Sequence, residues 1–393
     1  LSQIESIEII KGASSTLYGS GAASAVINIT NKSADSKKIS SVFSTSIGTN
    51  QTASDQNNTI SDINSSVAFS GTLNKFTYSA GFSNQSTDGL SAAIGDTNEK
   101  DPYSKNGVDT RFGYTFSNAF SSAIYGNYSD TKSDIDGFDS NFNLVDTADE
   151  FNSTQARVGV SSKFKYTNGS INLNAAYSEY DRQFVSSFPS TFRSKNYVVD
   201  IYNKSVFDEN FYTIFGLNII DNRALFTSNE SFTIVDPYAN FVFVSDFGLN
   251  INAGVRINNH NVYGSNFVYN LNPSFTIQSD TNRYTKFFAS YSTSYITPTL
   301  SHLYGDFGAN ADLNPEENLT VEAGVEFKLN SDFRVSGLLF NREEINTVLW
   351  INGGYLNASD VLHARGVELE LDANLVDKLS IQTNYSFVEY KES

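Results

Sequence analysis

The sequence contains no cysteine and no methionine, one tryptophan, three histidines and six prolines among 393 residues. Without cysteine there are no disulfides, thiolate nucleophiles or cysteine metal sites. No segment has the eighteen or more apolar residues of a membrane-spanning helix. The sequence begins with neither a start methionine nor a signal peptide. These absences exclude a helical membrane protein, and we expect the chain to begin inside a longer one.

Positive charge is also scarce, because 26 Lys and Arg residues stand against 43 Asp and Glu residues and leave a net charge of −17. Nucleic-acid binding depends on a basic surface that releases counterions from phosphates. The composition therefore argues against a nucleic-acid partner. The length is enough for one large or two ordinary domains.

Short polar turns and longer connections separate segments in which polar and apolar residues alternate. Residues 75–83 (KFTYSAGFS) and 366–375 (GVELELDANL) show the alternation clearly, and a period of two predicts β-strands with one polar and one apolar face. Eight short turns follow a common pattern: TLNKF, FSNAF, YTNGS, FDENF, VSDFG, SDTNR, LNSDF and LVDKL. The longer connections include residues 86–107, 129–151 and 295–316. Tight turns at one rim and long loops at the other are typical of an outer-membrane β-barrel.

This interpretation gives every strand a lumen face and a lipid face. It predicts that Glu368 and Glu370 face the lumen and that Leu369, with Val367 and Leu371, meets lipid. Aromatic residues that follow tight turns are expected in the interfacial girdle at the periplasmic side. They are Phe76, Phe120, Phe211, Phe247 and Phe333.

The strand count sets the expected size of the barrel. We count about seventeen strands, the last ending near Tyr390. Because ordinary bacterial barrels have an even number of strands, we expect further strands beyond the C-terminus and a complete barrel of about 22 strands, which is wide enough to hold a plug. A soluble β-sandwich is the structural alternative, but its strands are usually shorter.

Residues 11–30 (KGASSTLYGSGAASAVINIT) are rich in small residues and contain several glycines. A phosphate-binding loop needs Lys and then Ser or Thr after its last glycine, but Gly21 is followed by Ala22 and Ala23. A dinucleotide fingerprint would open a helix, whereas this stretch leads into the strand-like AVINIT. Neither nucleotide site is predicted here.

Residues 4–32 (IESIEIIKGASSTLYGSGAASAVINITNK) resemble the last part of the plug domain of TonB-dependent outer-membrane receptors, with Lys11, Ala13 and Ser24 as departures. The resemblance implies a plug fragment at 1–34 and a transmembrane barrel at 35–393. It also implies that the matching residues maintain the fold of the plug, and glycines there can adopt a positive φ in tight turns. These structural plug residues are Gly12, Tyr18, Gly19, Gly21 and Asn28.

Residues 294–327 (SYITPTLSHLYGDFGANADLNPEENLTVEAGVEF) are similar to a loop of the vitamin B12 (cobalamin) receptors of that family. The matching positions are Pro298, Leu300, Leu303, Tyr304, Gly305, Gly308, Leu313, Pro315 and Glu316. The resemblance implies that cobalamin or a related corrinoid binds at the outer rim, with Tyr304 as a cargo contact, and that the protein is not an enzyme. It further implies a monomeric barrel in outer-membrane lipid that needs no cofactor. The TonB complex then pulls on the plug through a segment that we expect upstream of Leu1.

Three alternatives remain open at this point. A ferric siderophore or haem receptor of the same family would use the same loop, although we favour a solvated loop histidine over an iron ligand for His302. A passive porin or an adhesin barrel would lack a working plug. An enzyme barrel would place Ser/His or Asp/His pairs at the loop rim, and three scattered histidines argue against it.

The loop predicted at residues 129–151 is rich in aspartate. Asp134, Asp136 and Asp139 lie close together around Gly137. Calcium takes six to eight oxygen ligands and tolerates irregular loops, so these carboxylates form a candidate calcium site, although the twelve-residue EF-hand pattern is incomplete. The alternative is a solvated acidic loop that keeps the cell surface hydrophilic.

Overall fold

The computed structural model describes residues 4–11, 15–23, 25–32, 34–51, 56, 58–91, 93, 100–141, 143–376 and 378–392. Almost all regular structure in these ranges is β-strand. The described part of the chain contains no helix of the length and hydrophobicity needed to cross a bilayer.

One large sheet of seventeen strands forms the body of the protein. Its strands are β3 (Ser40–Gly48), β4 (Asp62–Leu73), β5 (Phe76–Thr87), β6 (Tyr103–Thr115), β7 (Phe120–Phe138), β8 (Leu144–Tyr166), β9 (Gly169–Val185), β10 (Ser190–Val206), β11 (Phe211–Leu225), β12 (Asn229–Val244), β13 (Leu249–His260), β14 (Gly264–Asp280), β15 (Arg283–Ile296), β16 (Glu316–Asn330), β17 (Phe333–Ile345), β20 (Leu362–Val376) and β21 (Leu379–Glu392).

Six further elements lie outside this sheet. The N-terminal hairpin consists of β1 (Ile4–Lys11), the short helix α1 (Ser15–Tyr18) and β2 (Ala25–Asn31), with β1 and β2 paired antiparallel. A second short helix, α2 (Leu300–Tyr304), lies between β15 and β16. The outer hairpin, β18 (Val348–Ile351) and β19 (Gly354–Asn357), lies between β17 and β20.

The large sheet closes into a barrel in which β21 and β3 are neighbours. All sixteen consecutive pairs of barrel strands are antiparallel. Because directions alternate along an odd number of strands, β3 and β21 run the same way. The structure confirms the all-β barrel and the predicted count of seventeen strands.

All eight predicted short turns join consecutive strands at one rim. Local conformation explains part of their sequence. Asn74 in the turn between β4 and β5 has φ +57°, and Gly248 before β13 has φ +97°. At Gly248 an added Cβ would also lie 2.1 Å from the carbonyl oxygen of Thr276, so only glycine fits there.

The opposite rim differs in part from the prediction. The connections predicted at 86–107 and 295–316 are present, although the strands extend slightly further into them. The loop predicted at 129–151 is wrong, because β7 and β8 continue through most of it and leave only residues 139–143 as the connection. Its polar residues alternate on a strand that continues past the apolar band, where polar side chains on the outward face meet water rather than lipid.

The two faces of β20 agree with the prediction. Glu368 and Glu370 line an interior cavity together with Ile9 and Ile10 of the N-terminal hairpin. On the other face of the strand, Leu369 is 47% exposed. Aromatic rings also cluster at the turn rim as expected, since Phe120 and Phe211 each contact a second phenyl ring across their turns, at 5.2 Å and 5.3 Å between centroids.

The N-terminal hairpin lies inside the barrel. Its helix α1 contacts β12, β13, β14 and β15, and the end of β2 borders cavities lined by β3 to β6. One face of the hairpin is apolar and exposed, and it consists of Ile7, Ile9, Ile27 and Ile29. The lumen is therefore filled mainly on the side of β12 to β15.

Candidate functional site

Helix α1 docks on the luminal wall through small polar residues. Ser15 and Thr16 are almost completely buried, and the hydroxyl of Thr16 donates a hydrogen bond to Oδ1 of Asn270 on β14. An added Cβ at Gly254 on β13 would lie 2.7 Å from the Thr16 hydroxyl oxygen. The wall thus carries a glycine where the helix approaches most closely.

A buried ion pair lies directly beside this contact. Arg256 on β13 binds Asp236 on β12 at 2.8 Å, and both side chains are only 1% exposed. Nε of Arg256 donates to Oδ2 of Asp236, and Nη2 also donates to Oδ1 of Asn218 at 3.0 Å. An added Cβ at Gly19 would lie 2.9 Å from Nη2 of the same arginine. Burial of a charge requires such a set of partners, so the pair supports the wall where the N-terminal hairpin rests on it.

The predicted plug residues have distinct local environments. Gly12 lies outside the described residues. Gly19 and Gly21 have φ +89° and +91°, a conformation that favours glycine. Tyr18 is 46% exposed, and Asn28 donates to Glu8 at 2.8 Å across the two strands of the hairpin. Their role in holding a plug together, and the domain boundary after residue 34, stay predictions.

The N-terminal hairpin also contacts the outer loop that follows β15. The backbone N–H of Thr297 donates to the hydroxyl oxygen of Ser20 at 3.2 Å. Two residues later, Thr299 caps helix α2, because its side chain accepts a hydrogen bond from the backbone N–H of His302 at 3.2 Å. The segment 297–304 therefore joins the hairpin to the outer rim.

Helix α2 places Tyr304 inside the barrel mouth. Leu300 belongs to a buried cluster with Ala224, Phe232 and Ile234 of β11 and β12, and Tyr304 packs against this cluster. The predicted cargo contact Tyr304 is thus half-buried against the wall.

A luminal aromatic cluster continues along the wall from this helix. Its members are Phe151, Tyr180, Phe184, Phe192 and Phe226, on or next to β8 to β11. The rings form a chain with centroid distances of 5.2 Å for Phe151–Phe184, 6.3 Å for Tyr180–Phe192 and 5.4 Å for Phe192–Phe226. Phe192 and Phe226 also pack against the buried cluster below α2.

Arg182 on β9 is the cation of this cluster. Its guanidinium carbon lies 5.2 Å from the ring centroid of Phe184 and 5.3 Å from that of Phe192. Within the described part of the chain it has no ion pair, and its buried Nε has no hydrogen-bond partner. A buried donor without an acceptor is costly, so the site is suited to an incoming acceptor or anion.

Sequence reasoning missed Arg182 and the rings around it. The signal was present in residues 180–192 (YDRQFVSSFPSTF), where the one cation and all four aromatic residues stand at even-numbered positions. It was hidden because the same alternation occurs on every barrel strand. Only the register, which pairs Arg182 with Phe192, shows that these side chains share the luminal face.

The outer loops form a cap over this region. The ring of His302 stacks on Tyr355 of β19 at 4.5 Å, and Trp350 of β18 contacts Tyr355 edge-on at 4.7 Å. The hydroxyl of Tyr263 donates to the carbonyl of Leu313 at 3.0 Å. Burial raises the pKa of Tyr263 to about 12 and lowers the pKa of His302. The sequence predicts a solvated loop histidine at this position; in the structure the ring of His302 is half-buried, packs on Tyr355 and belongs to the capping box of α2.

The candidate calcium residues do not converge. Asp134 lies on β7 opposite Glu150 of β8, whereas Asp136 accepts a hydrogen bond from the backbone of Ala93 at 2.7 Å. Asp139 holds the tip of the β7–β8 turn, and its hydrogen bonds with Asn143 lower its pKa. Across the described ranges, no three His, Cys, Asp or Glu side chains form a group that could hold a metal ion. The calcium site stays a prediction.

Comparison with known structures places this architecture among outer-membrane receptors. The siderophore receptor PirA from Pseudomonas aeruginosa is similar at a TM-score of 0.79, with 18% identity over 99% of this chain and 72% of that chain. The ferric enterobactin receptor PfeA from the same species, in complex with enterobactin, has a TM-score of 0.79, with 15% identity over 98% of this chain and 68% of that chain. The ferric yersiniabactin uptake receptor FyuA from Yersinia pestis has a TM-score of 0.76, with 16% identity over 100% and 67% of the two chains.

The sequence itself gives the family. The profile of the TonB dependent receptor-like, beta-barrel family matches residues 40–393. This match covers the whole seventeen-stranded sheet, and the family consists of outer-membrane transport receptors that interact with TonB and are not enzymes. The chain belongs to the TonB-dependent receptor β-barrel family.

Proposed function

We propose that the protein imports a ferric siderophore, with the luminal aromatic cluster and Arg182 as its cargo site. The observation that carries this proposal is the guanidinium of Arg182 between Phe184 and Phe192, without an ion pair in the described part of the chain. Aromatic rings and a desolvated cation suit a ligand that is both flat and anionic.

The similar structures support iron chelates over corrinoids as cargo. Those compared above are a siderophore receptor, a ferric enterobactin receptor and a ferric yersiniabactin uptake receptor. The expectation of cobalamin rested on a loop resemblance around Tyr304. That loop has a structural role here, since Leu300 and Tyr304 pack against the barrel wall, so its sequence is compatible with other cargoes.

The chemistry of the site favours chelates with catecholate or other anionic oxygen donors. A charge-assisted hydrogen bond to a guanidinium is stronger than a neutral one, and Nε of Arg182 has no hydrogen-bond partner among the described residues. Stacking of an aromatic chelate on Phe184 or Phe192 adds apolar contact. Tyr304 closes the same chamber from helix α2.

Transport then requires the N-terminal hairpin to move away from the wall. In this proposal the TonB complex pulls on the plug, and the contacts that must break are those of Thr16 with Asn270 and of Ser20 with Thr297. Both contacts use neutral hydroxyl groups, whose hydrogen bonds contribute only about 0.5–1.5 kcal/mol each. Weak contacts of this kind allow release without unfolding of the barrel.

Equilibrium binding to a panel of cargoes tests the proposal. The receptor in mild detergent is titrated with ferric catecholate, phenolate and hydroxamate siderophores, haem and cyanocobalamin. We expect tight binding of at least one anionic ferric siderophore, with affinity that falls as ionic strength rises because salt screens the attraction to Arg182. Binding of cyanocobalamin or haem at micromolar concentration, with no binding of any ferric siderophore, would contradict it.

A further inference from the structure

Three cations on β10 and β11 face away from the lumen. Asp200, Asn218 and Asp236 point inward, because Tyr238 donates to Asp200 and Arg256 donates to Asn218 and Asp236 beside Gly19. The register along these strands is continuous. Odd-numbered positions of β10 and β11 therefore point outward, and they include Arg193, Lys195 and Arg223.

The cations lie just beyond the lipid-facing band. Towards the turn rim the outward positions are apolar and exposed, as with Ile171, Ile201 and Phe215. On β9 the stretch 169–177 fits the 9–11 residues that a tilted strand needs to cross a bilayer. It ends at Tyr177, which is register-paired with Tyr197, and the two rings are 4.9 Å apart. Tyrosine at this position is typical of the membrane interface, so the next residues lie at the level of the lipid headgroups.

Two of the cations repel each other, and a bound anion would reduce this repulsion. Lys195 and Arg223 are directly opposite each other in the register of β10 and β11, and like charges at such positions destabilise a sheet. The carboxylate of Glu179 is 3.9 Å from Lys195, too far for a hydrogen bond. Arg223 binds Asp221 of its own strand through Nε at 2.6 Å, which leaves its terminal amino groups available.

The same residues border an open cavity. Arg193, Lys195 and Arg223 line a concavity of about 490 Å³ on the outward surface, together with the carboxylates of Asp221 and Glu230. The guanidinium carbon of Arg223 lies 5.3 Å from the ring centroid of Tyr197, and Arg193 is held by Asp181 at 2.8 Å. These contacts fix both arginine planes, and a fixed guanidinium binds phosphate with two parallel hydrogen bonds.

We propose that Arg193, Lys195 and Arg223 form an outer cationic site that binds a phosphate on the sugar headgroup of an outer-leaflet glycolipid. Three facts support a lipid as the occupant: the outward direction, the position directly above the aromatic interface, and the continuity with the lipid-facing band. The neighbouring carboxylates of Glu179 and Asp221 can accept hydrogen bonds from sugar hydroxyls. The site lies on the opposite side of the wall from the cargo chamber and does not depend on the identity of the cargo.

Native mass spectrometry of the receptor extracted from Gram-negative outer membranes tests this site. The Lys195→Ala/Arg223→Ala variant is compared with wild type and with Lys132→Ala, an outward cation on β7 away from the site. Thermal unfolding is then followed in detergent with phosphorylated lipid A, with enzymatically dephosphorylated lipid A and with inorganic phosphate. The charge-preserving variant Lys195→Arg/Arg223→Lys shows whether any loss reflects folding rather than charge.

We expect wild type, Lys132→Ala and the charge-preserving variant to retain phosphorylated glycolipid. The double alanine variant should retain at least about five-fold less of it than wild type. Phosphorylated lipid A should raise the unfolding temperature of wild type, whereas the dephosphorylated form and inorganic phosphate should not. Equal retention by the double alanine variant would overturn the proposal. So would equal stabilisation by dephosphorylated lipid A or by inorganic phosphate, because the bound group would then not be a lipid phosphate.

Discussion

The two sides of the lumen differ in how deeply their inward residues are buried, although polar and apolar residues alternate along the strands of both. On β12 to β16 the inward residues are closed off, and Arg256, Ser292 and Thr320 are at most 2% exposed. On β3 to β6 the inward residues line an open volume of about 1020 Å³ beside the N-terminal hairpin. An alternating strand therefore fixes which residues face inward, whereas burial depends on what fills the lumen beside them.

The largest expected effect comes from the buried ion pair on the closed side. Asp236→Ala leaves Arg256 charged and buried without its main partner, and breaking a buried pair costs about 3–5 kcal/mol. Arg111→Ala on the open side removes only a cation 5.7 Å from the Tyr125 ring, worth about 0.5–1 kcal/mol at an exposed site. Urea unfolding in lipid vesicles, followed by the fluorescence of the single tryptophan, measures both. Equal losses of unfolding free energy in the two variants would show that the two sides of the lumen are equally closed.

The comparison of the two sides depends on which residues of each strand face the lumen and which face lipid, and two substitutions on β20 test this assignment. Leu369→Arg places a charge against lipid, which costs about 2–4 kcal/mol near the bilayer midplane. Glu370→Arg places the charge in the lumen, where Glu326 and Asp372 lie close by around Arg334. The measurement is the yield of folding into vesicles. If Leu369→Arg folded as readily as Glu370→Arg, the faces would be assigned wrongly.

A smaller effect is expected where the N-terminal hairpin touches the closed wall. Gly19→Ala combines a strained positive φ, worth about 1–2 kcal/mol, with a Cβ placed 2.9 Å from Arg256. Gly21→Ala has a similar φ, but no atom of the described residues lies within 4 Å of the added Cβ, so this variant isolates the strain. Because the sequence has no cysteine, Ser15→Cys offers a single buried reporter for maleimide labelling.

Labelling of Ser15→Cys should be slow and should become several-fold faster with Gly19→Ala than with Gly21→Ala. Equal acceleration by the two substitutions would mean that contact with Arg256 does not hold the hairpin in place.

The smallest effect is expected from calcium at the outer ends of β7 and β8, next to the open side. The sequence predicts that Asp134, Asp136 and Asp139 bind the ion, and the stabilisation at ten times Kd would then be about 1.4 kcal/mol. Calorimetric titration of the receptor with calcium should give heat that Asp134→Asn/Asp136→Asn removes. Asp139→Asn should remove less of this heat, because Asp139 already accepts hydrogen bonds from Asn141 and Asn143 in its turn. Equal heats in wild type and the double variant would leave a solvated acidic surface.

Local signals explain why much of the barrel could be predicted. Tight turns depend on a few residues, such as Asn74 and Gly248 with positive φ, and lipid forces one apolar face on every strand. The loop at 129–151 was mispredicted for a related reason. Aspartates that alternate on a strand outside the membrane look like a polar loop, since nothing local distinguishes water beside a strand from water around a loop.

The candidate site was less accessible from sequence because it depends on contacts between distant segments. Arg182 and Phe192 meet through the register of β9 and β10, and Arg256 meets Gly19 of the N-terminal hairpin across the lumen. The sequence predicts a solvated loop histidine at position 302, whereas the fold packs the ring of His302 on Tyr355 of the outer hairpin. Such pairings follow from the closed barrel and from its contents, which no short motif encodes.

The most direct test of the cargo site is the affinity of Arg182→Gln for an anionic ferric siderophore. Loss of a hydrogen bond from a charged group costs about 1.5–3 kcal/mol, which corresponds to a weakening of about ten- to one-hundred-fold. Arg157→Gln is the matched control, because Arg157 is a luminal arginine on β8 that stacks on Tyr125 at 5.8 Å, outside the aromatic cluster. We predict weaker, less salt-dependent binding by Arg182→Gln and unchanged binding by Arg157→Gln. Equal affinity of Arg182→Gln and wild type for every ferric siderophore bound would contradict the assignment of the cargo site.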